Sequence, residues 1–307
     1  MRVVFMGTPS FSVPSLRHLA AEHEVALVLT RPDAVRSRGK KLEPSPVKVA
    51  AIELGLPVVE AKRMTPEILD ALCAAEADVF CVAAYGCILP DEVLTMAPLG
   101  CVNVHASLLP RWRGSAPIQR SILAGDDRTG VSIMRIGHGV DTGAYCAQAS
   151  CSVAGKTADE LTAELAELGG ALLCETLPAI ADGTAVWTEQ DEALVTHAAK
   201  IEKAELRLDP ASTALENVRR TLASSDAAPA RCAVDGRPLR VLSAAVADDA
   251  ASVAAGSFAK VGKRIFLGCS DGALELLCVK PDGKRAMDAA AWGAGVRENA
   301  GLWEKLS

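Results

Sequence analysis

The strongest constraint on this chain is a set of short, continuously apolar runs separated by helix-patterned stretches. Arg2–Met6, Val25–Thr30 and Asp78–Ala84 each read as strands with no polar alternation, and Cys101–His105 reads as another. A strand that is apolar on both faces must be covered on both, and parallel sheets sandwiched between helices do that. Helical patterns fall between these runs at Ser15–Glu22, Pro46–Leu54 and Pro66–Ala75, with a short strand at Pro57–Val59. Gly125–Gly130 reads as a polar turn, Gly130–Ile136 as a further strand, and Thr157–Asp182 as a long helix capped by Thr157. The expected architecture is α/β: a Rossmann-like, doubly wound, mostly parallel sheet whose ligands gather at the carboxyl ends of its strands.

After Leu206 the pattern changes. One helix, Ala211–Ala223, precedes short strand-like runs at Arg231–Val234, Leu239–Val241, Arg264–Leu267 and Leu274–Val279, divided by Asp235-Gly236 and Asp271-Gly272. Short strands with such turns predict a small C-terminal β-barrel of the oligonucleotide-binding (OB-like) kind. The expected division is residues 1–190, a linker over 191–208, and residues 209–307.

Composition bounds the function classes. Half of the 307 residues are hydrophobic and 23% are charged, as in a globular protein and unlike a disordered one. The longest apolar runs are too short to cross a bilayer, and the N-terminus enters a strand directly with no signal-peptide layout. A cytoplasmic protein without membrane association is expected. Ten cysteines include no pair with zinc-ribbon spacing. Cys73, Cys81, Cys87, Cys101, Cys146 and Cys174 lie in apolar segments and are expected to be buried, reduced thiols, with no metal site. The net charge of −6 is unevenly spread: −8 over residues 1–199 and +2 beyond. A polyanionic partner must therefore meet a local basic patch, and Arg31 to Lys48 is the one that stands out.

The chemistry concentrates in two segments. Gly7-Thr8-Pro9-Ser10 lacks the further glycines of a dinucleotide fingerprint and reads as a tight turn. In Cys101–Gly114, Asn103 and His105 are two apart on a strand and project to one side near its carboxyl end. A core histidine with a backbone partner would explain His105 alone, but a second polar residue on that face favours a site. Gly137–Gly143 places one carboxylate, Asp141, in a glycine-rich loop, which by itself is also compatible with an ordinary turn. An amide donor, an imidazole and a carboxylate together suit transfer of an acyl-type carbon to an amine.

These segments resemble folate-dependent formyltransferases. Asn103-Val104-His105, Ser107-Leu108-Leu109-Pro110-Arg111-Trp112-Arg113-Gly114 and Ala116-Pro117-Ile118-Gln119 are similar to that family's active-site segment, and Gly139-Val140-Asp141-Thr142-Gly143 to its aspartate loop. Nearly the full length looks like the methionyl-tRNA formyltransferase branch. Arg38-Gly39-Lys40-Lys41, with Pro44-Ser45-Pro46-Val47-Lys48, is similar to the basic loop of that branch. Ala84-Tyr85-Gly86 with Ile88-Leu89-Pro90 is similar to its folate-side segment, and Pro281–Met287 to its C-terminal ending. The chain departs at Ala144, where the family often has an acidic residue, and at Ala106, which replaces a common glycine.

The resemblance implies 10-formyltetrahydrofolate as formyl donor and the α-amine of methionine on initiator tRNA as acceptor, in a monomeric enzyme. It implies catalytic roles for Asn103, His105 and Asp141. It implies folate contacts from Ser107, Leu108, Leu109, Pro110, Tyr85, Gly86, Ile88 and Leu89, and tRNA contacts from Arg38, Lys40 and Lys41. A sibling acting on an amino sugar would keep the catalytic three but has no need of the basic loop. A non-enzymatic RNA-binding module would need the loop but not the buried polar set. Neutralising Arg38, Lys40 and Lys41 together is expected to weaken binding of initiator tRNA and flatten its salt dependence by about three counterions. An unchanged salt slope in a filter-binding titration would return the loop to a solvated turn.

Overall fold

The computed structural model describes residues 1–35, 42–247 and 253–306. Arg38, Lys40 and Lys41 lie outside the described residues. Backbone contacts divide the chain into two units: residues 1–117, 128–152 and 162–198 in the first, and residues 118–127, 153–161 and 199–307 in the second.

The first unit is built on strands β1 (Arg2–Gly7), β2 (Glu24–Thr30), β3 (Val58–Glu60), β4 (Val79–Ala83), β5 (Cys101–His105), β6 (Arg128–Arg135) and β7 (Tyr145–Ser152). They form one seven-stranded sheet in the order β7-β6-β5-β4-β1-β2-β3. β1 to β5 are mutually parallel where they pair, while β6 runs antiparallel to β5 and β7 antiparallel to β6. Helices α1 (Val13–Glu22), α2 (Pro46–Glu53) and α3 (Pro66–Ala74) make the crossovers. Prolines at the first turns of all three supply a preset φ where no amide partner is needed. Ser45 caps α2 by accepting from the Lys48 amide.

The apolar runs are strands for the reason their composition suggests: both faces are covered. Val4, Met6, Leu27, Leu29, Phe80 and Val82 pack with Leu72 of α3 and Ala75 at its C-cap on one side. On the other, the long helix α4 (Ala158–Ala181) comes so close that a Cβ on Gly169 would stand 2.5 Å from Val104 Cγ1. Glycine at that position is therefore a packing requirement. The Thr157 cap is present, as a reciprocal pair with Glu160. The order reverses between β1 and β4, and there the loops after the two strands are tied by a 2.8 Å bond from Thr8 Oγ1 to the Tyr85 carbonyl.

Two local expectations are corrected. The Gly125–Gly130 turn is shorter than its composition suggests, because Arg128 and Thr129 already pair with Ser152 and Cys151 of β7. β7 itself gave no apolar signal, since it is a half-exposed edge strand. Of the cysteines expected to be buried, Cys73 is exposed and Cys87 and Cys146 are half-buried, whereas Cys81, Cys101 and Cys174 are buried. An apolar neighbourhood in sequence does not specify which side of a helix or loop a small residue occupies.

The second unit holds helix α5 (Ala214–Leu222) and strands β8 (Arg231–Val234), β9 (Arg237–Val246), β10 (Ser257–Val261), β11 (Arg264–Gly268), β12 (Ala273–Pro281) and β13 (Ala300–Glu304). Pairing runs β9-β8-β13-β10-β11-β12, and β12 returns to β9, closing a six-stranded antiparallel barrel. Its interior is filled by Cys232, Val234, Leu239, Val241, Phe258, Ile265, Leu267, Leu274, Leu276, Val279 and Trp303. Trp303, carried on β13, donates its indole N–H to the Gly268 carbonyl at 2.8 Å. The Asp235-Gly236 turn has positive φ at both residues, the condition for a tight hairpin. α5 starts three residues later than its pattern, because Thr213 caps it in a reciprocal box with Glu216.

All ten cysteines are thiols outside any disulfide. Burial pushes the Cys101 and Cys232 thiols up to about 12, so neither offers a thiolate near neutral pH. Titration of the native protein with a thiol-exchange reagent should label Cys73 first. Cys101 and Cys232 should react at least about a hundredfold more slowly, through opening of the fold. Equal rates at these three positions would contradict the packing described.

Candidate active site

The site grows from the last residues of β5. Asn103 pairs with Val82 of β4 and Met134 of β6, and His105 with Ser132 of β6. The strand is otherwise sealed: Cys101, Val102 and Val104 are buried, and His105 is only 5% exposed. A buried imidazole must place both nitrogens. Nε2 lies 2.9 Å from the Trp112 carbonyl oxygen, which can only accept, so Nε2 carries a proton. Nδ1 faces Asp141 Oδ2 at 3.5 Å. The structure thus brings His105 and Asp141 together. Asn103 stands one residue pair back along the strand, half-buried, and among the described residues its carboxamide has no protein partner.

Residues 106–116 turn back over His105, which is how the Trp112 carbonyl reaches it. Trp112 has φ +64, an uncommon backbone for a residue with a side chain. It is held there by its own amide, which donates to Thr196 Oγ1 at 2.9 Å. The same stretch, residues 196–198, pairs in parallel with Arg113 and Gly114. A Cβ on Gly114 would meet the Ala198 carbonyl oxygen at 2.9 Å, so only glycine allows that approach.

Asp141 also has a positive φ of 53°. Its Oδ2 accepts from the Gly114 amide at 2.9 Å, which ties the carboxylate to the segment that covers His105. Gln190, a residue without any sequence signal, donates from Nε2 to the carbonyls of Asp141 (2.8 Å) and Gly143 (2.7 Å). It is buried, and its Oε1 accepts from Arg113 Nε at 2.8 Å. Arg113, buried as well, is neutralised by Glu192 at 2.8 Å. Ala144, where an acidic residue would be expected by resemblance, is buried, and its carbonyl accepts from the Arg135 amide.

The expected folate-side residues fall into two groups. Tyr85 and Leu109 are each 2% exposed and Ser107 is fully buried, so their side chains serve the fold. The Tyr85 ring sits in the apolar cluster below the sheet's β4 end, and burial raises its phenol well above the ordinary range. The Ser107 hydroxyl donates to the Arg111 carbonyl at 2.6 Å and closes the turn. Gly86 is exposed, and its carbonyl accepts from Arg31 Nη1 at 2.8 Å. Ile88 is 92% exposed, while Leu89, Leu108 and Pro110 keep part of their surface accessible. Only this second group, with backbone atoms of the first, can meet a ligand directly.

Ser132 is the hinge between the loop and the sheet. Its buried hydroxyl donates to the Ser107 carbonyl (2.6 Å) and accepts from the Leu109 amide (3.1 Å) and Gln148 Nε2 (2.8 Å). Gln148 reaches the same loop through the Leu109 carbonyl at 2.9 Å.

The two described cations of the basic patch, Lys48 and Arg31, already have partners. Lys48 Nζ lies 2.8 Å from Asp33 and 3.0 Å from Glu60, and these hydrogen bonds raise its pKa. Its charge is already matched, and Arg31 spends its guanidinium on the Gly86 and Lys62 carbonyls. One grouping of potential metal ligands occurs among the described residues, Glu22, His23 and Cys174 at the end of α1. Burial holds the Cys174 thiol up at about 12. No helix among the described residues is long and apolar enough to cross a membrane.

Comparison with known proteins places these observations. Residues 1–177 match the formyl transferase family and residues 200–297 the formyl transferase C-terminal domain. A methionyl-tRNA formyltransferase of Methylococcus capsulatus is 48% identical over 292 residues, 94% of this chain and 95% of that protein. Among solved structures, a sugar 3N-formyl transferase, WlaRD, crystallised with dTDP and 5-N-formyl-THF, superposes with a TM-score of 0.68. It is 14% identical, over 93% of this chain and 99% of its own. A methionyl-tRNA formyltransferase from Clostridium thermocellum gives 0.55 at 14% identity, over 81% of this chain and 95% of its own. At such identities the two structures speak for the fold alone.

Replacing Ser132 by Ala should orphan the buried Leu109 amide and Ser107 carbonyl. The expected loss is about 2–4 kcal/mol in chemical denaturation, far above that of an ordinary surface serine. A change under about 0.5 kcal/mol would mean that the loop is not anchored there.

Proposed function

This chain belongs to the methionyl-tRNA formyltransferases of the formyl transferase family, and from that premise we propose how its own residues carry the reaction. Enzymes of this family draw the formyl group from a formyl-tetrahydrofolate. We infer that the donor is the 10-formyl form and the acceptor the α-amine of methionine esterified to initiator tRNA. The single observation that carries the assignment of residues is the pairing of His105 Nδ1 with Asp141 Oδ2 beside the amide of Asn103, which has no partner among the described residues.

The neutral amine attacks the formyl carbon, and the C=O electron pair moves onto oxygen. Asn103 donates its free amide N–H to that oxygen. Because the Trp112 carbonyl holds Nε2–H, His105 can act only through Nδ1. A proton there makes the ring cationic, paired with Asp141, and the same edge supports the oxyanion. Asp141 orients the ring and takes the amine proton, through water. As the tetrahedral intermediate collapses, the C–N bond to the folate nitrogen breaks, and Asp141 returns through water the proton taken from the amine, so that nitrogen leaves as N–H.

Leu108, Pro110, Ile88 and Leu89 offer apolar surface for the pterin, and the backbone of Ser107, Leu109, Tyr85 and Gly86 offers polar partners. Residues 1–190 act as the catalytic part and 209–307 as the tRNA-binding part, joined by 191–208, with Arg38, Lys40 and Lys41 at the acceptor end. The enzyme works as a cytoplasmic monomer without a metal.

Asn103→Ala and Asp141→Asn should each lower kcat for formylation of methionyl-tRNA by about two to three orders of magnitude while leaving tRNA affinity nearly unchanged. Transfer is measured with the folate donor against methionyl-tRNA, a sugar amine, and no acceptor. Wild-type turnover in either variant sinks the assignment of these residues. Preference for the sugar amine sinks the assigned acceptor.

A further inference from the structure

The loop that carries Asp141 is held by a side chain with no part in the reaction just described. Gln190 is 8% exposed and uses both sides of its amide. The two Nε2 protons go to the Asp141 carbonyl at 2.8 Å and the Gly143 carbonyl at 2.7 Å. Oε1 takes the Arg113 Nε proton at 2.8 Å. This orientation is forced, because a flipped amide would set oxygen against two carbonyls and an NH2 group against a guanidinium.

Both ends of the connection lead to the His105–Asp141 pair. On the loop side, the two carbonyls bracket Asp141, whose φ of +53° is one that a residue with a Cβ keeps only when its surroundings hold it. On the other side, Arg113 is clamped by Glu192 through two bonds of 2.8 and 3.3 Å, and its amide donates to the Thr196 carbonyl at 2.9 Å. The residue after Arg113 is Gly114, whose amide binds Asp141 Oδ2. The residue before it is Trp112, whose carbonyl holds His105 Nε2. The guanidinium of Arg113 and the amide of Gln190 therefore close a ring of hydrogen bonds around the carboxylate and the imidazole.

We propose that Gln190, braced by Arg113, is a positioning residue for formyl transfer, fixing the backbone on either side of Asp141 so that its carboxylate stays on the Nδ1 edge of His105. The inference rests on the roles given above to Asp141 and His105. Glutamate is the informative replacement. It matches glutamine in shape and still pairs with Arg113, but it has no proton for the Asp141 and Gly143 carbonyls and sets negative charge against them.

The test compares the full chain with Gln190→Ala, Gln190→Glu, Arg113→Lys and Asp141→Asn, using initiator methionyl-tRNA and the folate donor. A misplacement of about 1 Å can cost on the order of a hundredfold in rate. Gln190→Ala should lower kcat by about 10- to 100-fold and Gln190→Glu by more, with both KM values within about twofold. The pH profile of kcat and the 15N shift of His105 Nδ1 should move in both variants, and Arg113→Lys should show the same pattern more weakly. Wild-type kcat in both Gln190 variants overturns the proposal. So does a loss that follows only the folded fraction in a melting experiment, with an unmoved pH profile and imidazole shift. Full activity in Asp141→Asn instead removes the reading of the site on which the proposal rests, so the two failures are distinguishable.

Discussion

The interaction on which the site depends is the one that lets an imidazole sit in a nearly closed place. His105 ends a strand whose residues, Asn103 apart, are apolar and buried, and its ring is almost closed off from solvent. The Trp112 carbonyl answers Nε2 only because residues 106–116 fold back across the strand end. That reversal needs its own support: Ser132 beneath it, Thr196 beside it, and a glycine at position 114. Each support satisfies a polar group that the reversal would otherwise leave buried and unpaired. The geometry that makes the ring available through Nδ1 is thus a consequence of satisfying Nε2.

The same logic separates the cationic residues. Arg31, Lys48 and Arg113 are spent on carbonyls and carboxylates within the first unit. Lys48 and Arg113, matched by carboxylates, position backbone and loops and contribute little to the attraction of a distant polyanion, whereas Arg31, held by carbonyls, keeps its net charge. The barrel follows a different economy. It is closed by the β9–β12 pairing, leaves no long free edge among the described residues, and fills its interior with alternate residues of its strands.

Much of this was legible in the chain. The runs at Val79–Ala83 and Cys101–His105 are buried on both faces, so their composition alone identifies them. Asn103 and His105 share a face because a strand repeats every two residues. Elements whose stability comes from a partner were not legible. Tyr145–Ser152 is an edge strand with polar residues outward, and Ala300–Glu304 is short and mostly exposed around Trp303. Tyr85, Ser107 and Leu109 show the reverse case, since their place in a motif suggested ligand contact while their side chains are buried in the fold.

By itself the sequence determined the layers and singled out the candidate residues of the site, because periodicity and turn chemistry are local properties. Tertiary structure decided what those groups can do. Asp141 lies 36 residues after His105, and only the pairing of β5 with β6 and the turn that follows β6 bring their side chains to 3.5 Å. Gln190 is more distant still, and nothing in its neighbours marks it. Its importance comes from two carbonyls and a guanidinium that converge on it in space, and convergence of that kind has no period to read.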